Sequence, residues 1–294
     1  MTNLSARPTL VVTGAASGIG AAIATAAVAR GWTTGVLDVD LKRAKKTAIT
    51  MGPHAIALGA DVSDEASVDA ALDDFAAATG TPAPNALVCN AGIVRFGALL
   101  DLASEDWRAV VNVNLHGTFL VARAVGRRMI AAGRGGAIVN ITSINGVAPG
   151  PNAGAYGATK AAIALLTQQM ALEWGVHGIR VNAVAPGLID AGMSEPIYAD
   201  ADIRTRREQR VPLQRLGVAN DVANAVLFLL SDNASYVNGT ELIVDGGVSM
   251  SIIATLPRPA SVETPASVET PVSVETPVSV ETPVSAKATG EVRA

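Results

Sequence analysis

Leu10-Val11-Val12-Thr13-Gly14-Ala15-Ala16-Ser17-Gly18-Ile19-Gly20-Ala21-Ala22-Ile23-Ala24 is the stretch whose reading decides the fold. Its branched apolar start suits a strand buried on both faces, and Ile19–Arg30 after the turn reads as a helix. Glycines at such a turn let the backbone bend tightly. They also let a pyrophosphate approach the amides at the helix N-terminus, where the dipole favours an anion. The spacing is G-x-x-x-G-x-G rather than G-x-G-x-x-G. Nucleotide binding is therefore read from the strand–turn–helix setting, with a merely structural turn as the alternative.

Outward from this unit, strand and helix keep alternating, the signature of a parallel sheet covered on both faces. Strands are expected at Leu10-Val11-Val12, Gly35-Val36-Leu37, Ala55-Ile56-Ala57-Leu58, Ala86-Leu87-Val88, Ala137–Ile141, Ile179–Val184 and Glu241–Val244. Helices are expected to include Ile19–Arg30, Ser104–Ala132, Tyr156–Trp174 and Asn220–Leu230. Seven strands with intervening helices make an α/β, Rossmann-like, doubly wound parallel sheet over residues 1–256. The remainder, 257–294, differs. From Ser261 the unit Ser-Val-Glu-Thr-Pro-Ala/Val repeats four times, and Pro265, Pro271, Pro277 and Pro283 bar a continuous helix or central strand. Such a segment buries too little apolar surface to offset its ordering entropy, so a disordered tail is expected.

Composition narrows the function. Apolar residues are 49% of the 294 but aromatics only 3%, so the core must be built from Ala, Val, Leu and Ile. Cys89 is the sole cysteine, which excludes an intramolecular disulfide and fits a reducing cytoplasm. A net charge of −4 argues against a nucleic-acid partner. No run of apolar residues has membrane-spanning length, and Met1–Pro8 lacks the apolar core of a signal peptide. The three histidines show no metal-ligand spacing, so no metal is expected.

Asp38 ends the second strand, 18 residues past Gly20. A carboxylate there accepts hydrogen bonds from the adenosine ribose of NAD and repels the 2′-phosphate of NADP. Asp61-Val62, after the third strand, would likewise place a carboxylate near the adenine. Tyr156 and Lys160, four apart, share a helix face. A positive charge beside a phenol favours the phenolate and lowers its pKa from about 10 toward working pH, making Tyr156 a general acid or base for a carbonyl/alcohol pair. Ser143, at the end of the fifth strand, would hydrogen-bond the same substrate oxygen.

With these residues in place the chain resembles the short-chain dehydrogenase/reductase family. Thr13–Gly20, Asn90-Ala91-Gly92, Asn114, Ser143, Tyr156-Gly-Ala-Thr-Lys160 and Pro186-Gly187 follow that family's order and spacing over about residues 8 to 250. The resemblance implies that Gly14, Ser17, Gly18, Ile19 and Gly20 cradle the cofactor and that Asn90, Ala91 and Gly92 stabilise the sheet beside it. It implies that Tyr156 exchanges the proton, Ser143 holds the substrate oxygen, and Lys160 tunes Tyr156 and binds the nicotinamide ribose. It further implies that Asn114 holds a water linking Lys160 to solvent and that Pro186, Gly187 and Ile189 place the nicotinamide. Ala191 departs from the family, which often has Thr there to meet the carboxamide. A homotetramer packed through the helices at Ser104–Ala132 and Tyr156–Trp174 is expected on the same ground.

The expected function is an NAD-dependent oxidoreductase acting on a small secondary alcohol or polyol. A 3-oxoacyl reductase is the nearest enzymatic rival, and a non-catalytic dinucleotide-binding module with a partner-recruiting tail is the rival of another class. Substrate contacts are sought at Arg95, Asn145 and Asn152. Arg204, Arg206, Arg207 and Arg210 cluster where this family covers its cleft. A basic lid would attract an anionic substrate, but a solvated helix face with ion pairs to Glu208 or a neighbouring subunit is the preferred reading. Cys89 is read as inert packing.

Overall fold

A computed structural model describes residues 7–251. The tail expected over 257–294 lies outside the described residues, as does the apolar run 252–256. The chain enters through β1 (Thr9–Thr13), turns into α1 (Gly18–Ala29), and continues through β2 (Thr33–Asp38), α2 (Leu41–Met51), β3 (Ala55–Gly59), α3 (Glu65–Thr79) and β4 (Ala86–Cys89). There follow α4 (Ser104–Val110), a π-helical turn at Val111–His116, α5 (Gly117–Ala131), β5 (Gly136–Ile141), α6 (Ile144–Val147), α7 (Tyr156–Trp174) and β6 (Ile179–Pro186). Last come β7 (Ile189–Asp190), α8 (Glu195–Tyr198), α9 (Ala201–Glu208), β8 (Gly217–Val218), α10 (Ala219–Leu230) and β9 (Glu241–Val244).

All seven expected strands form one parallel sheet in the order β3-β2-β1-β4-β5-β6-β9. Strand alternation distributes side chains between two helical layers. Leu10 and Val12 of β1 pack in a layer with Ile23 and Ala27 of α1 and Val226 of α10. Val11, between them, points the other way, into a layer with Phe75 of α3, Val125 of α5 and Met170 of α7. Winding reverses between β1 and β4, so the crevice outside their carboxyl ends is the place for a ligand in such a sheet. No described helix is long and apolar enough to cross a membrane.

Two features depart from the expected pattern. The helix expected over Ser104–Ala132 is broken by the π-helical turn, whose Asn114 is fully buried and directed at backbone rather than along the helix face. The strands β7 and β8 pair with each other apart from the main sheet, and two residues each is too short to leave a periodic signal.

Candidate active site

The carboxyl ends of β1, β4, β5 and β6 open onto one cleft of about 640 Å³. At its first end Thr13 ties two strands together. Its buried hydroxyl accepts from the amides of Asn90 (2.9 Å) and Ala91 (3.0 Å), while Asn90 Nδ2 donates to the carbonyls of Thr13 (3.0 Å) and Gly14 (3.1 Å). The glycine turn is thereby pinned to the end of β4. Gly20 lies against this knot, so a Cβ there would stand 2.4 Å from the Gly14 carbonyl oxygen and 2.6 Å from Asn90 Nδ2.

The residues fit a dinucleotide. Helices α2, α3 and α9 are each capped by an aspartate side chain, at Asp40, Asp64 and Asp200. The cap residue of α1, Ser17, makes no such bond, and Gly14, Ser17, Gly18 and Ile19 line the cleft. The helix N-terminus is thus turned toward the cleft with its amides free of a side-chain cap, as an anion requires. Residues 188–212, the lid expected over the cleft, approach here too: a Cβ on Gly18 (φ +57°) would meet Gly192 Cα at 3.1 Å. Asp38 lines the cleft and is held by the amides of Ala16 (3.2 Å) and Asp40 (3.1 Å).

In the middle of the cleft Ser143, Tyr156 and Lys160 come together with Asn90, Ala91, Gly92, Pro186, Gly187 and Ile189. Ser143 starts α6 and its Oγ accepts from the Asn145 amide at 3.2 Å. Lys160 is buried; its Nζ donates to the Ile141 carbonyl (2.7 Å) and lies 5.4 Å from the centroid of the Tyr156 ring. Asn114 Oδ1 accepts from the Ile93 amide (2.8 Å), while its Nδ2 donates to the Ile93 carbonyl (3.0 Å) and to Thr159 Oγ1 (3.3 Å). The side chain of Asn114 therefore clamps the loop after Gly92 to α7.

Three expectations need correction, and Asp61 and Val62 stand apart from the cleft lining. The Tyr156 phenol is not pulled below its ordinary range: burial pushes it up, and the neighbouring Ser143 hydroxyl offsets part of that. Burial instead lowers Lys160, to about 8. Arg95 is exposed and pairs with Asp106 (3.5 Å) rather than lining the cleft. Asn152 is likewise off the cleft wall. It takes the left-handed conformation (φ +60°), and its carbonyl accepts from the Gly97 amide at 3.0 Å. Asp61 and Val62 are also not brought to the cleft lining. The Asp61 carboxylate accepts from the amide (2.9 Å) and hydroxyl (2.7 Å) of Ser63, and Val62 packs in the core against Gly117. Asn145 does line the cleft, as does Ala191. Cys89 is buried, its thiol pushed up to about 12 by burial, which keeps it unreactive.

The rest of the cleft wall includes residues that carry no motif, Val94 and Phe96 after β4 and Leu188, Met193, Ile197, Tyr198 and Arg207 after β6. One signal in the sequence bore on them. It is the cluster Arg204, Arg206, Arg207 and Arg210, for which a basic lid over the cleft was the alternative to a solvated face.

Residues 14–249 match the family model described as enoyl-(acyl carrier protein) reductase. The chain is 37% identical over 256 residues to 2-(S)-hydroxypropyl-CoM dehydrogenase 3 of Xanthobacter autotrophicus, covering 85% of this chain and 99% of that protein. It is 44% identical over 245 residues to cis-4-hydroxycyclohexanecarboxylate dehydrogenase of Sinomonas cyclohexanicum, covering 81% and 94%. Among solved structures it resembles a gluconate 5-dehydrogenase from Burkholderia cenocepacia in complex with NADP and tartrate. That match has a TM-score of 0.78 at 35% identity, over 83% of this chain and 96% of the other.

Proposed function

Because the chain belongs to the short-chain dehydrogenase/reductase family and is an oxidoreductase, we propose that it moves a hydride between a secondary alcohol and NAD, giving the ketone, in either direction. The observation that carries this reading is the convergence of Ser143, Tyr156 and Lys160 on one wall of a cleft whose other end presents Asp38. The two relatives named above are dehydrogenases of hydroxy compounds, which supports an alcohol substrate. NAD is favoured over NADP because the lining around Asp38 includes no Lys or Arg to attract a 2′-phosphate.

Bound nicotinamide supplies the hydride chemistry. The chain's own groups orient the substrate and move the proton. Ser143 holds the substrate oxygen beside the Tyr156 hydroxyl. Burial keeps that phenol protonated, the form that gives a proton when a ketone is reduced. In the oxidative direction the phenol must pass its proton on, and the Lys160 ammonium, held over the ring by the Ile141 carbonyl, offsets the phenolate charge. Exposed Leu165 and Leu172 on α7, with Val176 just beyond it, support assembly into a homotetramer through that face.

The test is formation of reduced nicotinamide with a panel of secondary alcohols and polyols, run with NAD and with NADP. Tyr156→Phe is expected to lower turnover by roughly 10²–10⁴-fold with NADH binding retained. Retention of more than a tenth of turnover would overturn the assignment of Tyr156. Inertness toward the whole panel would overturn the alcohol–ketone reading.

A further inference from the structure

We propose that the far end of the cleft is an anion subsite in which Arg207, steadied by Tyr198, takes a carboxylate carried by the substrate, an inference that rests on the alcohol–ketone reading above. Three charged side chains line the cleft: Asp38, Lys160 and Arg207. Asp38 stands at the adenosine end, and the Lys160 ammonium is committed to the Ile141 carbonyl and the Tyr156 ring. Arg207 is carried on α9, after β6 and so across the sheet order from Asp38 at the end of β2, and it lines the cleft together with Met193 and Ile197.

The neighbouring arginine shows what Arg207 lacks. Arg204 pairs with both Asp190 and Glu208, which takes up those two carboxylates. Among the described residues Arg207 has no acidic partner. Its guanidinium donates to the Tyr198 hydroxyl oxygen (3.4 Å) and lies 5.5 Å from that ring's centroid. A half-buried guanidinium without a counter-charge forgoes solvation that a bound anion would restore. Its planar fork matches a carboxylate through two parallel N–H···O bonds. Because Tyr198 Oη accepts from Arg207, its own hydrogen is left to donate. Both residues line the cleft and both have donors to spare, a pairing that selects an anion and rejects a cation.

The test pairs each of three hydroxy acids (3-hydroxybutanoate, 4-hydroxypentanoate and 5-hydroxyhexanoate) with its carboxamide, the series sampling the distance from hydroxyl to anion. The wild-type enzyme is expected to favour the acid in at least one pair by about 10- to 100-fold in kcat/KM, the worth of charge-assisted hydrogen bonds to a partly buried cation. Arg207→Met collapses that ratio toward one, and Arg207→Lys restores part of it. Calorimetric titration of the NADH complex with unreactive cyclohexanecarboxylate and its carboxamide reads the same preference without turnover. No preference for the acid in both assays, or a preference that survives Arg207→Met, overturns the subsite. So does a loss of NADH affinity in Arg207→Met, which would place the guanidinium on the cofactor. Failure of the alcohol–ketone reading looks different: the carboxylate still binds the NADH complex through Arg207, but no hydroxyl compound, acid or neutral, is oxidised.

Discussion

Replacing Lys160 by Met should change the pH dependence of stability in a calculable way. The ammonium is buried, and its fall from 10.5 to about 8 corresponds to roughly 3 kcal/mol of folding free energy lost while the group is charged in both states. Below pH 8 folded and unfolded chains both hold the proton, so the cost is constant there. Between about 8 and 10.5 the unfolded chain holds more protons than the folded one, and stability rises with pH through that window. From about pH 7 to about pH 9.5 the gain is about 2 kcal/mol. Cys89 works in the opposite direction, since burial raises its thiol, and so does Tyr156 at higher pH. Both remain in Lys160→Met; Cys89 and Lys160 act on each other, but the folded thiol stays protonated below about pH 9.5 with or without the ammonium, so in that window the difference between the two proteins reads the lysine. At neutral pH the variant is relieved of the buried charge but leaves the Ile141 carbonyl without its donor, a loss of about 1–3 kcal/mol, so the two proteins should be close in stability. Urea unfolding followed by the fluorescence of Trp32, Trp107 and Trp174, at matched protein concentration, gives both free energies. Wild type should gain about 2 kcal/mol on the variant by pH 9.5. A difference that stays flat within about 0.5 kcal/mol would show that Lys160 is not held below its ordinary range.

Asp38→Ala should weaken NAD and narrow the preference over NADP, because an acceptor and a repulsive charge go together; kcat/KM for the two cofactors reports it, and a wild type that already prefers NADP would refute the assignment. Gly20→Ala pushes a methyl into the Gly14 carbonyl and the Asn90 amide, so the glycine turn must shift. Calorimetry should find NAD binding lost, and thermal unfolding a destabilisation of about 1–3 kcal/mol. A chain ended at Ala260 should keep turnover and thermal midpoint; loss of either on removing the repeats would make the tail a functional element.

The sheet was legible because each strand is a short branched apolar run between turn residues, and a buried parallel strand needs little else. That Tyr156, Lys160 and Ser143 would share one cleft was legible because residue type and local spacing pick them out. What failed depends on where side chains go after the backbone is placed. Asn152 is an ordinary Asn until the loop needs a left-handed residue to let its carbonyl meet Gly97. Arg95 follows a motif that reaches the cleft, but its own side chain runs to Asp106. The direction of the Tyr156 shift escaped the sequence because spacing shows the lysine's charge but not the burial acting on both groups. Arg204 and Arg207 have the same composition around them, and only the fold gives both carboxylates to Arg204 and neither to Arg207.

Gly18 and Gly192 stand Cα against side-chain-free backbone, both in the left-handed region, where the cofactor turn meets the lid. The width of the cleft at that point is set by a spacer one carbon thick. A methyl on either glycine would sit on left-handed backbone that an L side chain rarely adopts, and it would push the two segments apart by a few tenths of an ångström. The gap between the cofactor turn and the lid is thus set by two positions that carry no side chain at all.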